Sequence, residues 1–212
     1  MTQPTPAEAW QSLLDGNRRF IEGAPQHPRQ DEERREDLAS GQHPTVAIFG
    51  CSDSRLAAEI IFDLGLGDAF VVRNAGQVAS PSVLGSLEYA VGVLGVPLIL
   101  VLGHDSCGAV RAAIDSQAID PDELTPNIAN LIAPIIPAVR RVARARGNDR
   151  IDPDRIDASE VGREHLRDTI TDLISGSPLI SRKVVDGTLG IVGANYRLHE
   201  GAAVPDVLLG LS

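Results

Sequence analysis

Four short, continuously apolar runs constrain this chain more than any other feature in it. They are Thr45-Val46-Ala47-Ile48-Phe49, Ala69-Phe70-Val71-Val72, Leu98-Ile99-Leu100-Val101-Leu102 and Leu189-Gly190-Ile191-Val192. None alternates apolar with polar residues, as a strand with one wet face would, so each reads as a strand buried on both faces. Helical stretches at 57–64, 82–94 and 109–118 separate them. Strands alternating with helices predict βαβ units, hence an α/β chain with a mostly parallel central sheet and helices on both faces. A further strand near 204–209 is expected at the sheet edge. In such sheets ligands collect beyond the carboxyl ends of the strands. That rule directs attention to Cys51-Ser52-Asp53-Ser54-Arg55 and His104-Asp105-Ser106-Cys107.

The rest of the chain frames this core. Pro6-Ala7-Glu8-Ala9-Trp10 opens a helix whose apolar positions Trp10, Leu13, Leu14, Phe20 and Ile21 recur at helical spacing, and Gly23 ends it. Residues 24–44 read as a surface excursion with a short helix, its charged run 31–37 a solvated face. Residues 120–176 read as helices broken by Pro121, Pro126, Pro134, Pro137 and Pro153, packed as an insertion on one face. No linker divides the chain, so a single domain over 1–212 is expected, with a helical arm at 1–44 and an α/β core at 45–212. A 212-residue chain buries about 70% of its unfolded surface and needs no disulfide to hold it.

Charge and hydropathy exclude several partners. The net charge of −10 disfavours nucleic acid and anionic membranes. The longest apolar run, residues 90–103, contains Pro97 and is too short to span a bilayer. The N-terminus has neither the basic nor the apolar region of a secretion signal, so the cytoplasm is the expected location.

In that compartment the two cysteines, Cys51 and Cys107, are more often used for packing, metal binding or catalysis than for a disulfide. Each lies with a histidine at the same edge of the sheet: Cys51 after one strand, His104 and Cys107 in H-x-x-C spacing after another. Two thiolates and one imidazole form a known catalytic zinc set with a fourth position open, and this soft donor set favours zinc over magnesium or calcium. Core packing alone remains the plainer account of each residue singly, but it does not require the grouping. Asp53 stands where it either becomes a fourth ligand, closing the site, or accepts a hydrogen bond from metal-bound water. Arg55 is placed to hold that carboxylate away in a bidentate pair. A cysteine phosphatase would need an arginine at position 57, which is Ala57. Gly65-Leu66-Gly67 precedes a strand and is no dinucleotide loop. A thiol hydrolase using Cys51 and His104 leaves Cys107 and Asp53 without a part.

The two site segments together resemble the paired signature of the β-class carbonic anhydrases. The likeness extends to Gly16-Asn17-Arg18-Arg19-Phe20, Phe70-Val71-Val72-Arg73-Asn74-Ala75-Gly76 and Gly85-Ser86-Leu87-Glu88-Tyr89-Ala90, and covers residues 7–115 closely. Over 116–185 little of it remains. The resemblance implies one zinc ion per chain on Cys51, His104 and Cys107, with Asp53 and Arg55 as a catalytic dyad. It implies reversible hydration of carbon dioxide to bicarbonate and a proton by zinc-bound hydroxide. Gln42 matches a position that hydrogen-bonds substrate. Phe70, Ala75 and Tyr89 match positions lining the carbon dioxide pocket, partly from a second subunit. A homodimer or a dimer of dimers follows, with the N-terminal helix embracing the partner.

One departure bears on regulation. A bicarbonate-inhibited subgroup carries tryptophan three residues before the first ligand cysteine, where this chain has Ile48. Arg73 and Tyr196 match the other two positions of that pocket, but without the tryptophan no inhibitory bicarbonate site is expected. Two other functions fit the same residues: hydrolysis of a carbon dioxide analogue such as carbon disulfide or carbonyl sulfide, and zinc binding without catalysis.

Overall fold

The structure is a computed structural model that describes residues 3–147 and 151–211. Its centre is a five-stranded sheet in the order β2-β1-β3-β4-β5. The strands are β1 (Val46–Cys51), β2 (Ala69–Asn74), β3 (Leu98–His104), β4 (Gly190–Arg197) and β5 (Ala202–Leu209). The first four run parallel, and β5 closes one edge antiparallel to β4. The mostly parallel sheet, its flanking helices and the late edge strand agree with the sequence pattern.

Successive residues of the apolar runs serve opposite faces, as the pleat dictates. Val46, Ile48, Leu98, Leu100 and Leu102 enter one core with helices α1 (Pro6–Ile21), α3 (Ala58–Ile61), α5 (Gly108–Asp115) and α7 (Ile136–Ala145). Ala47, Phe49, Ile99 and Val101 enter the other with α4 (Pro81–Gly92), α8 (Ala158–Gly176) and α9 (Pro178–Val185). A strand so placed cannot tolerate a polar residue on either side, which is why its sequence does not alternate.

Three details differ from the sequence expectation. The helix expected over 57–64 is a single turn, α3, because Asp63 takes a left-handed backbone (φ 47°) that ends it. β1 and β3 run two residues further than their apolar runs, since Gly50 and Cys51 pair with Arg73 and Asn74 while Gly103 and His104 pair with Asn195 and Tyr196. Cys51 and His104 are thus the last residues of a hydrogen-bonded ladder. The segment 120–176 is not an insertion on one face. Pro126 and Pro137 lie in the first turns of α6 (Pro126–Ile132) and α7, where a missing N–H costs nothing. The segment feeds both cores, Val139 and Val142 on one side and Leu166, Ile170 and Leu173 on the other.

The arm docks tightly on its own chain. Thr5 and Glu8 close a reciprocal cap on α1, and Trp10 and Leu13 are buried beneath it. A Cβ on Gly16 would stand 1.9 Å from the Phe62 carbonyl oxygen, so only glycine allows this approach. Next to it the buried Asn17 donates to the carbonyls of Ile61 (3.1 Å) and Gly201 (2.8 Å) and accepts from the Ala203 N–H (2.9 Å). The short helix expected in the excursion is α2 (Glu32–Asp37), with no buried residue. Among the described residues no helix is long and apolar enough to cross a membrane.

Candidate metal centre

β1 and β3 are neighbours in the sheet, and their carboxyl ends bring Cys51 and His104 side by side. Cys107 arrives from β3 through a tight corner in which Ser106 adopts φ 51°, and it caps the start of α5. The donor atoms of Cys51, His104 and Cys107 all lie within 4.8 Å of one another, and each residue is 5% exposed. His104 Nδ1 donates to the Asp105 carbonyl at 2.8 Å. That bond fixes the tautomer and leaves Nε2 as a bare lone pair, buried with no partner in the described structure. Such an orphaned acceptor beside two thiols is costly unless a cation completes it. The residues fit zinc.

The electrostatics agree. The Cys51 thiol is pulled down to about 4, first by the Cys107 thiol and also by the Gly76 N–H at 3.3 Å, against the opposing effect of burial. Cys107 is pushed up by the thiolate of Cys51 and by burial, against the pull of the first α5 amides. Each thiol thus bears on the ionisation of the other, and a metal ion would take the place of their protons.

Asp53 faces Arg55 in a bidentate pair, with Nε to Oδ1 at 2.9 Å and the second nitrogen to Oδ2 at 2.7 Å. The Arg55 backbone N–H also donates to Oδ1 at 2.9 Å. This guanidinium beside it holds the Asp53 carboxyl well below the usual carboxylate range. Arg55 further donates to the Ser106 carbonyl at 3.2 Å, tying the two site segments together. Sequence reasoning gave Arg73 no part in this site, yet its guanidinium clamps the loop by donating to the carbonyls of Cys51 (3.0 Å) and Asp53 (2.7 Å). A basic residue near the end of an otherwise apolar strand was the available signal.

The remaining expected positions divide. Ala75 is exposed and adjoins Gly76, beside Cys51. Phe70 lies near the amino end of β2 and stacks against Tyr89 of α4, the ring centroids 6.2 Å apart. Gln42 is exposed in the loop before β1. Within one chain β1 separates Gln42 from Cys51, a span of about 20 Å for a strand of this length.

The comparisons with known proteins converge on one family. The carbonic anhydrase profile matches residues 46–203. Carbonic anhydrase 2 of Mycobacterium tuberculosis is 48% identical over 205 residues, covering 96% of this chain and 94% of that one. A carbonic anhydrase of Mycolicibacterium smegmatis is 46% identical over 202 residues, covering 95% and 93%. Among solved structures, the β-carbonic anhydrase CcaA superposes with a TM-score of 0.70 at 27% identity, covering 92% of this chain and 94% of its own. With the profile spanning most of the chain and near-full-length relatives at this identity, the chain belongs to the carbonic anhydrase family, in its β class.

Proposed function

We propose that the chain hydrates carbon dioxide reversibly to bicarbonate and a proton, with one zinc ion held by Cys51, His104 and Cys107. The observation that carries this is the orphaned His104 Nε2 facing two thiols while the carboxylate of Asp53, two residues from Cys51, is engaged by Arg55. When bound, zinc supplies the Lewis acidity that makes hydroxide available as a nucleophile near neutral pH. The chain's own residues do the rest. His104 presents its lone pair because Asp105 fixes the tautomer, and the Gly76 N–H donates to the Cys51 sulfur. Asp53, ionised, only accepts hydrogen bonds. It therefore orients the proton of the attacking oxygen toward itself and leaves a lone pair for the carbon. Arg55 and Arg73 hold that carboxylate and its loop in place. If the Arg55 pair opens, Asp53 is free to become a fourth ligand, and the site closes.

The carbon dioxide pocket is proposed to form between chains. Phe70 and Tyr89 pack together on the edge strand and its helix, with Tyr89 47% exposed, and Gln42 lies far from its own Cys51. Residues so placed serve a second copy's site better than their own, which supports a homodimer or a dimer of dimers. The outer side of α1, where Ile21 is 49% exposed, is what a partner would meet in an embrace.

Stopped-flow carbon dioxide hydration, with metal measured on the same sample, tests the reading. The expected result is about one zinc per chain and ready hydration. Bound zinc with no hydration between pH 7 and 9 would assign the site to metal binding alone. Turnover of carbon disulfide or carbonyl sulfide in preference to carbon dioxide would change the substrate.

A further inference from the structure

The loop that supports Cys51 has an unusual backbone. Gly76 has φ +81° and Gln77, which is not glycine, has φ +42°. A Cβ on Gly76 would lie 2.8 Å from the Ala109 Cβ, so the loop presses on α5 as closely as glycine allows. Asn74 closes the base of this loop, donating to the Val78 carbonyl at 2.7 Å and accepting from its N–H at 2.8 Å. Those bonds fix the two ends, while the Gln77 N–H reaches the Asn74 carbonyl only at a long 3.4 Å, a weak hold on the peptide planes at the tip. Their aim matters, because the Gly76 N–H is the donor to the Cys51 sulfur.

The tip is held from α8. His165 Nε2 donates to the Gly76 carbonyl at 2.8 Å. One helical turn later, the Thr169 hydroxyl lies 3.3 Å from the Gln77 carbonyl and also bonds the His165 carbonyl at 2.9 Å. Positions four apart share a helix face, so the two side chains meet successive carbonyls of the loop, the threonine sharing its single proton between the Gln77 and His165 carbonyls. Both are buried, His165 at 2% exposure and Thr169 at 1%. Burial pushes the His165 imidazole down, so it is neutral. A carbonyl only accepts, so the proton sits on Nε2, and Nδ1 has no partner in the described structure. Packing alone does not call for an imidazole here: Leu166, Ile170 and Leu173 supply the apolar contacts of this helix.

We propose that His165, assisted by Thr169, is a positioning residue for the metal centre: it fixes the Gly76 carbonyl so that the Gly76 N–H holds the Cys51 sulfur in its ligating orientation. This rests on the reading of Cys51 as a zinc ligand. It gives α8, which carries none of the short motifs read from the sequence, a direct part in the site. Outer-shell donors of this kind orient the ligand and temper its charge.

The test measures zinc release from the holoenzyme to a chromophoric chelator, together with the thiolate-to-metal absorption of the cobalt-substituted protein. His165→Leu keeps the volume and removes the donor; its zinc release should quicken by about tenfold or more, with a shifted thiolate band. His165→Gln returns an N–H near the same place and should restore most of both. Thr169→Val should show a smaller change of the same sign, and Thr169→Ser little. Equal impairment in His165→Leu and His165→Gln would reduce His165 to packing and overturn the proposal. Release and absorption unchanged in His165→Leu would do the same. If His165→Leu does not fold, the threonine pair decides: indistinguishable Val and Ser variants overturn it, and a defect confined to Val supports it. A wild-type chain that retains no zinc defeats the assignment of Cys51 first and this inference with it, whereas zinc held equally by wild type and variants defeats only the inference.

Discussion

An arginine–aspartate pair stands toward each end of the sheet, and the two are built for different ends. Asp63, on the way into the amino end of β2, is 1% exposed at its side chain. It accepts from Arg19 Nε at 2.6 Å and from the backbone N–H groups of Gln26 and His27 at 3.0 Å each. Burial alone would raise its pKa, but these donors outweigh it and hold the carboxyl below its ordinary value. Asp53, at the carboxyl ends, is 17% exposed, and its partner Arg55 is half in solvent at 51%. Two of its three hydrogen bonds come from that single side chain. The same two residue types thus make a joint held by backbone donors around a buried carboxylate, and a joint held mostly by one exposed guanidinium.

The bluntest way to break this comparison is to remove the metal from the carboxyl end. His104→Ala or Cys107→Ser should lose both zinc and hydration activity, because a ligand supplies affinity and geometry together. The Asp63 joint should be untouched. Normal zinc content in either purified variant would show that the ligands are misassigned.

Asp53→Ala should separate orientation from binding. Three ligands remain, so zinc content should stay near wild type, while kcat falls by about 100-fold for want of the group that orients the nucleophile. The melting temperature should barely move, since the guanidinium of the pair stands half in solvent and contributes little to stability. Full activity in this variant would remove Asp53 from the mechanism.

Asp63→Asn should do the reverse. Its amide cannot accept from all of its former donors, and Arg19, 29% exposed, is left partly buried without a counter-charge. A loss of about 2–3 kcal/mol is expected, with unchanged kcat in the molecules that remain folded. The sign with pH follows from the depressed native pKa. The stabilisation by Asp63 is complete at neutral pH and is lost as pH falls below the ordinary aspartate value through the native one. The gap in melting temperature between wild type and variant should therefore narrow in acid. A gap that stayed constant from pH 7 to pH 3 would mean that the charge of Asp63 is not what stabilises the fold.

The same contrast explains what was legible in the sequence. Cys51, His104 and Cys107 could be grouped because uninterrupted apolar runs betray parallel strands, and parallel strands put their carboxyl ends together. Asp53 and Arg55 are two residues apart, so their pairing is a local matter. Asp63 and Arg19 are 44 residues apart, and their meeting depends on how α1 docks. His165 was equally hidden: its partner Gly76 is 89 residues away, and a histidine within an apolar helical stripe carries no local sign of what it holds. The stripe itself, Val161, Leu166, Thr169, Ile170 and Leu173, was open to periodicity analysis. The prolines around it drew attention to helix breaks when two of them lie in helix first turns.

The smallest expected effect tests where the substrate pocket lies. Tyr89 is 47% exposed and touches Phe70 on the edge strand, four residues before the Asn74 that pairs with Cys51. Tyr89→Ala should leave zinc content intact and lower kcat/KM for carbon dioxide by about fivefold, as expected for loss of one aromatic contact. The informative step is to mix this variant with Asp53→Ala and allow subunits to exchange. If each site takes Asp53 from one chain and Tyr89 from the other, half the sites in a hybrid dimer are wild type. The mixture should then reach about three times the mean activity of its parents. If both residues serve the same chain, no hybrid site is whole and the mixture stays at that mean. That result would assign Tyr89 to the site of its own chain and overturn the pocket shared between chains.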